Sequence, residues 1–138
     1  MKISVLLADS AQAGTDGKVH ALGIGWSTIG TPTAPMSVIV LSDLDDEDRE
    51  EQYSFTVTLC DRDGAAYEFE TETGKHSLSL NITLPAPPPN GVPGARRLAA
   101  VANLGPGLLL PPASYHWVAE VTGSGLRGST MFTVVPQD

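Results

Sequence analysis

Tyr53-Ser54-Phe55-Thr56-Val57-Thr58-Leu59-Cys60 decides the fold class. Tyr53, Phe55, Val57 and Leu59 fall on one side of an extended chain, and Ser54, Thr56 and Thr58 on the other. That two-residue rhythm belongs to a strand with one face in a core and the other in water. Leu78-Ser79-Leu80-Asn81-Ile82-Thr83-Leu84 repeats it. Weaker versions run over Ile3 to Ala11, Lys18 to Ile29, Met36 to Leu41, Ala66 to Thr71, Tyr115 to Val121 and Met131 to Val135. Turn signals punctuate them: Asp16-Gly17, Asp63-Gly64, Asn90-Gly91 and Gly123-Ser124-Gly125. Short strands at close intervals, with no strand–helix alternation, predict an all-β, antiparallel sandwich or barrel of about eight or nine strands. Neither a repeat nor a linker interrupts it, so residues 1–138 read as one domain.

Two stretches break the rhythm. Gly94-Ala95-Arg96-Arg97-Leu98-Ala99-Ala100-Val101-Ala102-Asn103-Leu104-Gly105-Pro106 has alanine-rich helix propensity and a Gly-Pro stop. In an all-β chain the same residues also suit a strand whose small side chains admit a close neighbour, because context overrides propensity. Both readings stay open. Pro85-Ala86-Pro87-Pro88-Pro89 favours an extended polyproline path and reads as a stiff crossover between sheets.

Asp43-Leu44-Asp45-Asp46-Glu47-Asp48-Arg49-Glu50-Glu51 holds seven acids and one base. It reads as a solvated loop or a single helical turn. A calcium loop needs spaced carboxylates and a glycine at its bend, and that order is missing.

Composition limits the partners. The 138 residues bury roughly two-thirds of the surface that the unfolded chain exposes, enough for a core without cross-links. The lone Cys60 forms no internal disulfide and reads as a small buried hydrophobe, in keeping with a reducing compartment. Met1 to Ala8 imitates a secretory leader, but Asp9 cuts the apolar run short, so a first strand is the better expectation. No stretch is apolar for the roughly 20 residues that span a bilayer as a helix. The expected setting is the cytoplasm, or a particle assembled there. A net charge of −8 repels phosphate backbones and anionic headgroups, which argues against nucleic acid and membranes as partners.

No catalytic or cofactor pattern emerges. His20, His76 and His116 lie far apart, without His-x-His or His-Glu-x-x-His spacing, so no metal site is expected. No Gly-x-Ser-x-Gly elbow occurs. Gly23-Ile24-Gly25 has the wrong interval for a dinucleotide fingerprint, and its glycines read as strand positions approached closely by a backbone or by the Trp26 ring. Trp117 alternates with Tyr115, Ala119 and Val121, as a core residue does. Trp26 precedes polar Ser27 and Thr28 and is the better candidate for a surface ring.

Leu6-Leu7-Ala8-Asp9-Ser10-Ala11-Gln12, Asp16-Gly17-Lys18 and Leu22-Gly23-Ile24-Gly25-Trp26 come first. Leu59-Cys60-Asp61-Arg62-Asp63-Gly64 follows, and the chain closes on Tyr115-His116-Trp117-Val118-Ala119-Glu120-Val121-Thr122-Gly123 with Phe132-Thr133-Val134. In this order the motifs resemble a family of small bacterial proteins of unknown function. The resemblance implies an immunoglobulin-like sandwich and a strand near Arg97 to Leu104, and it implies no activity. The acidic run departs from the milder loop expected there.

The functional expectation is a non-catalytic protein-interaction or assembly module. It would join copies of itself, or join a larger, phage-like particle as a structural component. Its candidate surface is Trp26, the acids Asp45, Asp46, Glu47 and Asp48, and the prolines Pro87, Pro88 and Pro89. The alternative is a sandwich that binds a carbohydrate or another small ligand through exposed aromatic rings.

Overall fold

The computed structural model describes residues 1–14, 16–89, 91, 92 and 96–136. Among them lie twelve strands and no helix: β1 (Lys2–Ala8), β2 (Ser10–Ala13), β3 (Val19–Leu22), β4 (Thr28–Ile29), β5 (Met36–Leu44), β6 (Gln52–Asp61), β7 (Glu68–Thr71), β8 (Gly74–Ser77), β9 (Ser79–Pro85), β10 (Arg96–Leu104), β11 (Ala113–Val121) and β12 (Arg127–Val134). A three-stranded sheet, β1-β5-β10, packs on a five-stranded sheet, β4-β12-β11-β6-β9. Two hairpins, β2-β3 and β7-β8, complete the described elements. All pairings in the two layers are antiparallel except that of β4 with β12, which is parallel.

The alternation in β6 puts Tyr53, Phe55, Val57 and Leu59 into the core, each less than 9% exposed. Across the ladder, β11 contributes Tyr115, Trp117, Ala119 and Val121, and the facing sheet contributes Val38, Val40, Leu98 and Ala100. The opposite face of β6 meets β9 through a rung of hydroxyl and amide pairs. Ser54 bonds Thr83 at 2.7 Å, Thr56 donates to the Asn81 amide oxygen at 3.0 Å, and Thr58 bonds Ser79 at 2.7 Å. Each pair satisfies polar groups that neighbouring strands would otherwise leave to water.

Twelve strands stand where about eight or nine were expected, because two of the expected runs divide and one further strand, β8, forms. The Ile3 to Ala11 run divides at Asp9, and the Lys18 to Ile29 run divides at Gly23 and Gly25. Both glycines adopt positive φ, 67° and 92°, so they form a turn and not the strand positions expected of them. The close neighbour of Gly23 is Asp9 and not Trp26: a Cβ there would lie 2.1 Å from Asp9 Oδ2. Strand β8 was not anticipated, since Gly74-Lys75-His76-Ser77 is exposed throughout and has no apolar alternation. The ambiguous alanine-rich segment is strand from Arg96 to Leu104, with Leu98, Ala100 and Ala102 turned inward. Its Gly94 and Ala95, and Asn90 of the expected Asn90-Gly91 turn, lie outside the described residues.

One contact draws the layers together and another fixes the start of β11. Gly128 on β12 lies against Ile3 on β1, where a Cβ would sit 2.8 Å from the Ile3 side chain, so β1 packs tightly over the last strand. At the entrance to β11, the Tyr115 hydroxyl donates to the Pro111 carbonyl at 2.6 Å, while its ring stacks on Phe132 at 5.7 Å. Burial pushes the Tyr115 phenol above its ordinary pKa, with Tyr67 adding to the effect, so the hydroxyl remains a donor. Tyr115→Phe keeps the ring and removes the bond. Its expected cost is about 1 kcal/mol, read as a lower urea midpoint at unchanged slope.

Candidate functional site

Arg96 begins β10 and is 6% exposed, so its charge needs acceptors. It finds backbone oxygens. One terminal nitrogen donates to the carbonyls of Asp45 at 2.6 Å and Asp48 at 2.7 Å, and the other reaches the Pro87 carbonyl at 3.5 Å. The planar guanidinium can serve several acceptors at once, which a lysine ammonium cannot do in that geometry. The acidic and proline-rich loops, separated by some forty positions in sequence, are thereby drawn onto one side chain. Ala86 N–H also donates to the Glu51 carbonyl at 2.8 Å.

The acidic loop closes on itself. Asp48 N–H donates to the Asp45 carbonyl at 3.0 Å, and Asp45 N–H donates to Asp48 Oδ2 at 2.7 Å. Arg49 Nε donates to the Asp46 carbonyl at 3.1 Å. The Met1 ammonium bonds the Asp45 carboxylate and lies 3.2 Å from that of Asp48. Beside the loop, Arg97 Nε donates to Asp43 at 2.6 Å. Asp46 and Glu47 stay exposed. Among the described residues no three His, Cys, Asp or Glu side chains are grouped to hold a metal ion.

These pairs set a pH dependence with opposite signs at the two ends. The hydrogen bond from Arg97, aided by its charge, holds the Asp43 carboxyl below its ordinary value. Its contribution is present at neutral pH and is lost as pH falls through the folded value. The Met1 ammonium is raised above 8.0, chiefly by its hydrogen bond to Asp45. Its contribution is complete below 8.0 and is lost as pH rises through the folded value. The difference in urea midpoint between the native chain and Asp45→Asn/Asp48→Asn is therefore expected to narrow from about pH 7 to about pH 10.

Two hollows flank this clasp. One, of about 230 Å³, is lined by Asp46, Arg49, Pro89, Gly91, Val92 and Arg96. The other, of about 390 Å³, is a more apolar groove between Ala13 and Gly14, the Leu84 to Pro87 stretch, and the Arg97 to Ala99 edge of β10. Pro87 is half-buried, and Pro88 and Pro89 are exposed at the rim.

Trp26 lies elsewhere. It is half-buried, its ring meets Phe132 edge-on at 6.0 Å, and its indole N–H is buried without a hydrogen-bond partner. Gly25 N–H donates to the Leu7 carbonyl at 3.0 Å, whereas Lys2 pairs with Asp43 beside the acidic loop. Trp26 and the acids thus sit toward opposite ends of β1. Cys60 is 5% exposed, and desolvation, with Asp61 adding to it, pushes the thiol pKa up.

Sequence reasoning missed the β2-β3 hairpin as a surface. Leu22 is 73% exposed and Ile24 56%. An open basin of about 660 Å³ runs along the ribbon, lined by Ser10, Ala11, Gln12, Val19, His20, Ala21 and Leu22. Strand β3 pairs only with β2 among the described residues, which leaves its other edge bare. A usable signal was in the sequence: between Asp16 and Asp43 there is no acid, although the chain carries sixteen acidic residues.

Comparison with curated proteins finds no match. The model of a family of unknown function, DUF6941, matches residues 3–135, which takes in both layers, both hairpins and the Arg96 clasp. The chain therefore belongs to that family.

Proposed function

We propose that the protein is a non-catalytic interaction and assembly module built on an immunoglobulin-like sandwich. It serves in a homo-oligomer or as a structural part of a larger, phage-like particle. The strand order supports the immunoglobulin-like assignment: β1-β5-β10 faces β4-β12-β11-β6-β9, and β4 runs parallel to the final strand. The Tyr115 hydroxyl bound to a carbonyl four residues upstream is the tyrosine corner of that architecture.

The observation that carries the functional reading is the β2-β3 hairpin with the turn that follows it, where Leu22 and Ile24 stand in solvent beside an unpaired strand edge. Bare edges invite pairing with another chain, and soluble proteins usually blunt them with charge or proline. The residues of β3, Val19-His20-Ala21-Leu22, contain neither a Lys or Arg nor a proline. The cytoplasm, or a particle assembled there, suits the free Cys60, and the charge of −8 disfavours nucleic acid and anionic membranes as partners. The carbohydrate reading gains little from the rings. Tyr53, Tyr115 and Trp117 are buried, and Trp26 is half-buried against Phe132.

The test is affinity capture of the full chain from its source cells, beside Leu22→Glu/Ile24→Glu. Specific co-purifying chains that disappear with the double variant are expected. Equal recovery with both baits, or no specific chain with either, rejects the hairpin as the interaction surface.

A further inference from the structure

We propose that β3 is a docking edge for a second copy of this chain, with the two β3 strands paired antiparallel about a two-fold axis. This rests on reading the hairpin as an interaction surface, and it adds the partner and the register.

The register follows from the hairpin ladder. Gly14 N–H donates to the Lys18 carbonyl at 2.7 Å, and the pairs Gln12 with His20 and Ser10 with Leu22 continue from it in steps of two. In an antiparallel pair, successive residues alternate between turning their amide and carbonyl toward the partner and away from it. Lys18, His20 and Leu22 therefore turn theirs toward β2, and Val19 and Ala21 turn theirs outward. Among the described residues no strand receives those outward groups.

The edge complements itself. Val19 set against Ala21 of the second copy, and Ala21 against its Val19, satisfies every outward amide and carbonyl of both strands. His20 then faces His20 across the axis. Lys18 faces Leu22 of the second copy, so its aliphatic stem covers a side chain that is 73% exposed. The two lysines stand at opposite ends of the paired segment.

Charge bears on which edge a second copy can use. Two chains of net charge −8 repel one another, and contact is least costly where carboxylates are absent. Strand β3 carries no acid and follows directly on Lys18, and the nearest carboxylates, Asp16 beside Lys18 and Asp9 beside Gly23, stand at the two ends of the edge. Strand β9 also pairs on one side only, but it runs directly into Pro85, Pro87, Pro88 and Pro89, whose missing N–H groups blunt that edge.

Disulfide trapping and sedimentation test the register in the full chain with Cys60→Ser as background. Facing residues of a non-hydrogen-bonded antiparallel pair have Cα atoms about 4.5 Å apart, inside the range of about 4.4–6.8 Å that a disulfide spans. His20→Cys is expected to give a covalent dimer under mild oxidation, and Leu109→Cys, on an exposed loop, is not. Ala21→Pro removes an N–H that the hairpin itself does not use. It is expected to weaken dimerisation in sedimentation equilibrium at least about tenfold while the urea midpoint holds. Raising salt to about 0.15 M is expected to tighten the native dimer by screening the net charge.

A monomer at high micromolar concentration overturns the proposal, as does undiminished dimerisation of Ala21→Pro. Cross-linking through Asn81→Cys on β9 in place of His20→Cys also overturns it. If the chain is monomeric but a captured partner is lost with Leu22→Glu/Ile24→Glu, self-pairing falls and the hairpin remains the interaction surface. If no partner is captured either, both fall.

Discussion

Trp117→Ala lowers the free energy of unfolding by about 3–5 kcal/mol, a large share of the roughly 5–15 kcal/mol that holds a domain together. Trp117 sits mid-strand on β11, between Leu59 of β6 and Thr130 of β12, and is fully buried among the side chains that join the two layers. Truncation removes the transfer energy of the ring and leaves a cavity that two paired neighbours prevent from collapsing. The loss appears as a fall in the urea midpoint at unchanged slope, followed by circular dichroism. Trp117→Phe is expected to cost clearly less, because it keeps most of the packing and also removes an indole N–H that is buried without a partner. A loss below about 1 kcal/mol for the alanine variant contradicts the packing described for this site.

Arg96→Ala is expected to cost about 2–4 kcal/mol, and its effect is local before it is global. The substitution withdraws a buried cation from the carbonyls of Asp45, Asp48 and Pro87, so the acidic and proline-rich loops lose their shared anchor. Amide hydrogen exchange should accelerate across 45–51 and 85–89 while the amides of β6 and β11 keep their protection. Arg96→Lys is expected to fall between the native chain and the alanine variant, since an ammonium retains charge but not the fork. Loops that exchange at native rates in Arg96→Ala mean that the clasp does not hold them.

How far the sequence reveals the fold depends on whether a residue's neighbours are near it in the chain. Tyr53 to Cys60 and Leu78 to Leu84 announce their strands because alternation is a local property, and both lie where the rhythm puts them apart from shifts at the ends. The break at Gly23 and Gly25 is different. It depends on Asp9 occupying the space a Cβ would fill, a contact between residues that no local pattern links. Arg96 illustrates the same limit. Within Gly94 to Pro106 it resembles a surface arginine on a possible helix, and only the return of two remote loops makes it a buried anchor.

The candidate residues divided along the same line. Asp45, Asp48 and Pro87 stand out in the sequence for charge and stiffness, and the structure joins them through backbone oxygens, which no side-chain pattern encodes. The polar residues after Trp26 point to a surface ring, yet it leans on Phe132 at the other end of β1. The turn of the hairpin carrying Leu22 is legible at Asp16-Gly17, but its role as a surface is not, because a missing charge is a weaker cue than a run of seven acids.

The contact between Ile3 and Gly128 has a consequence for how the protein is made. During translation the first strand leaves the ribosome long before the surface it is to cover exists, since β12 is the last strand to emerge. Until then Ile3 on nascent β1 lacks the surface it packs on, and a topology of such distant pairings closes slowly. Emergence of β12, and not stepwise growth, is then the event that lets the two layers close, and chaperones holding the unfinished sandwich would act in that interval.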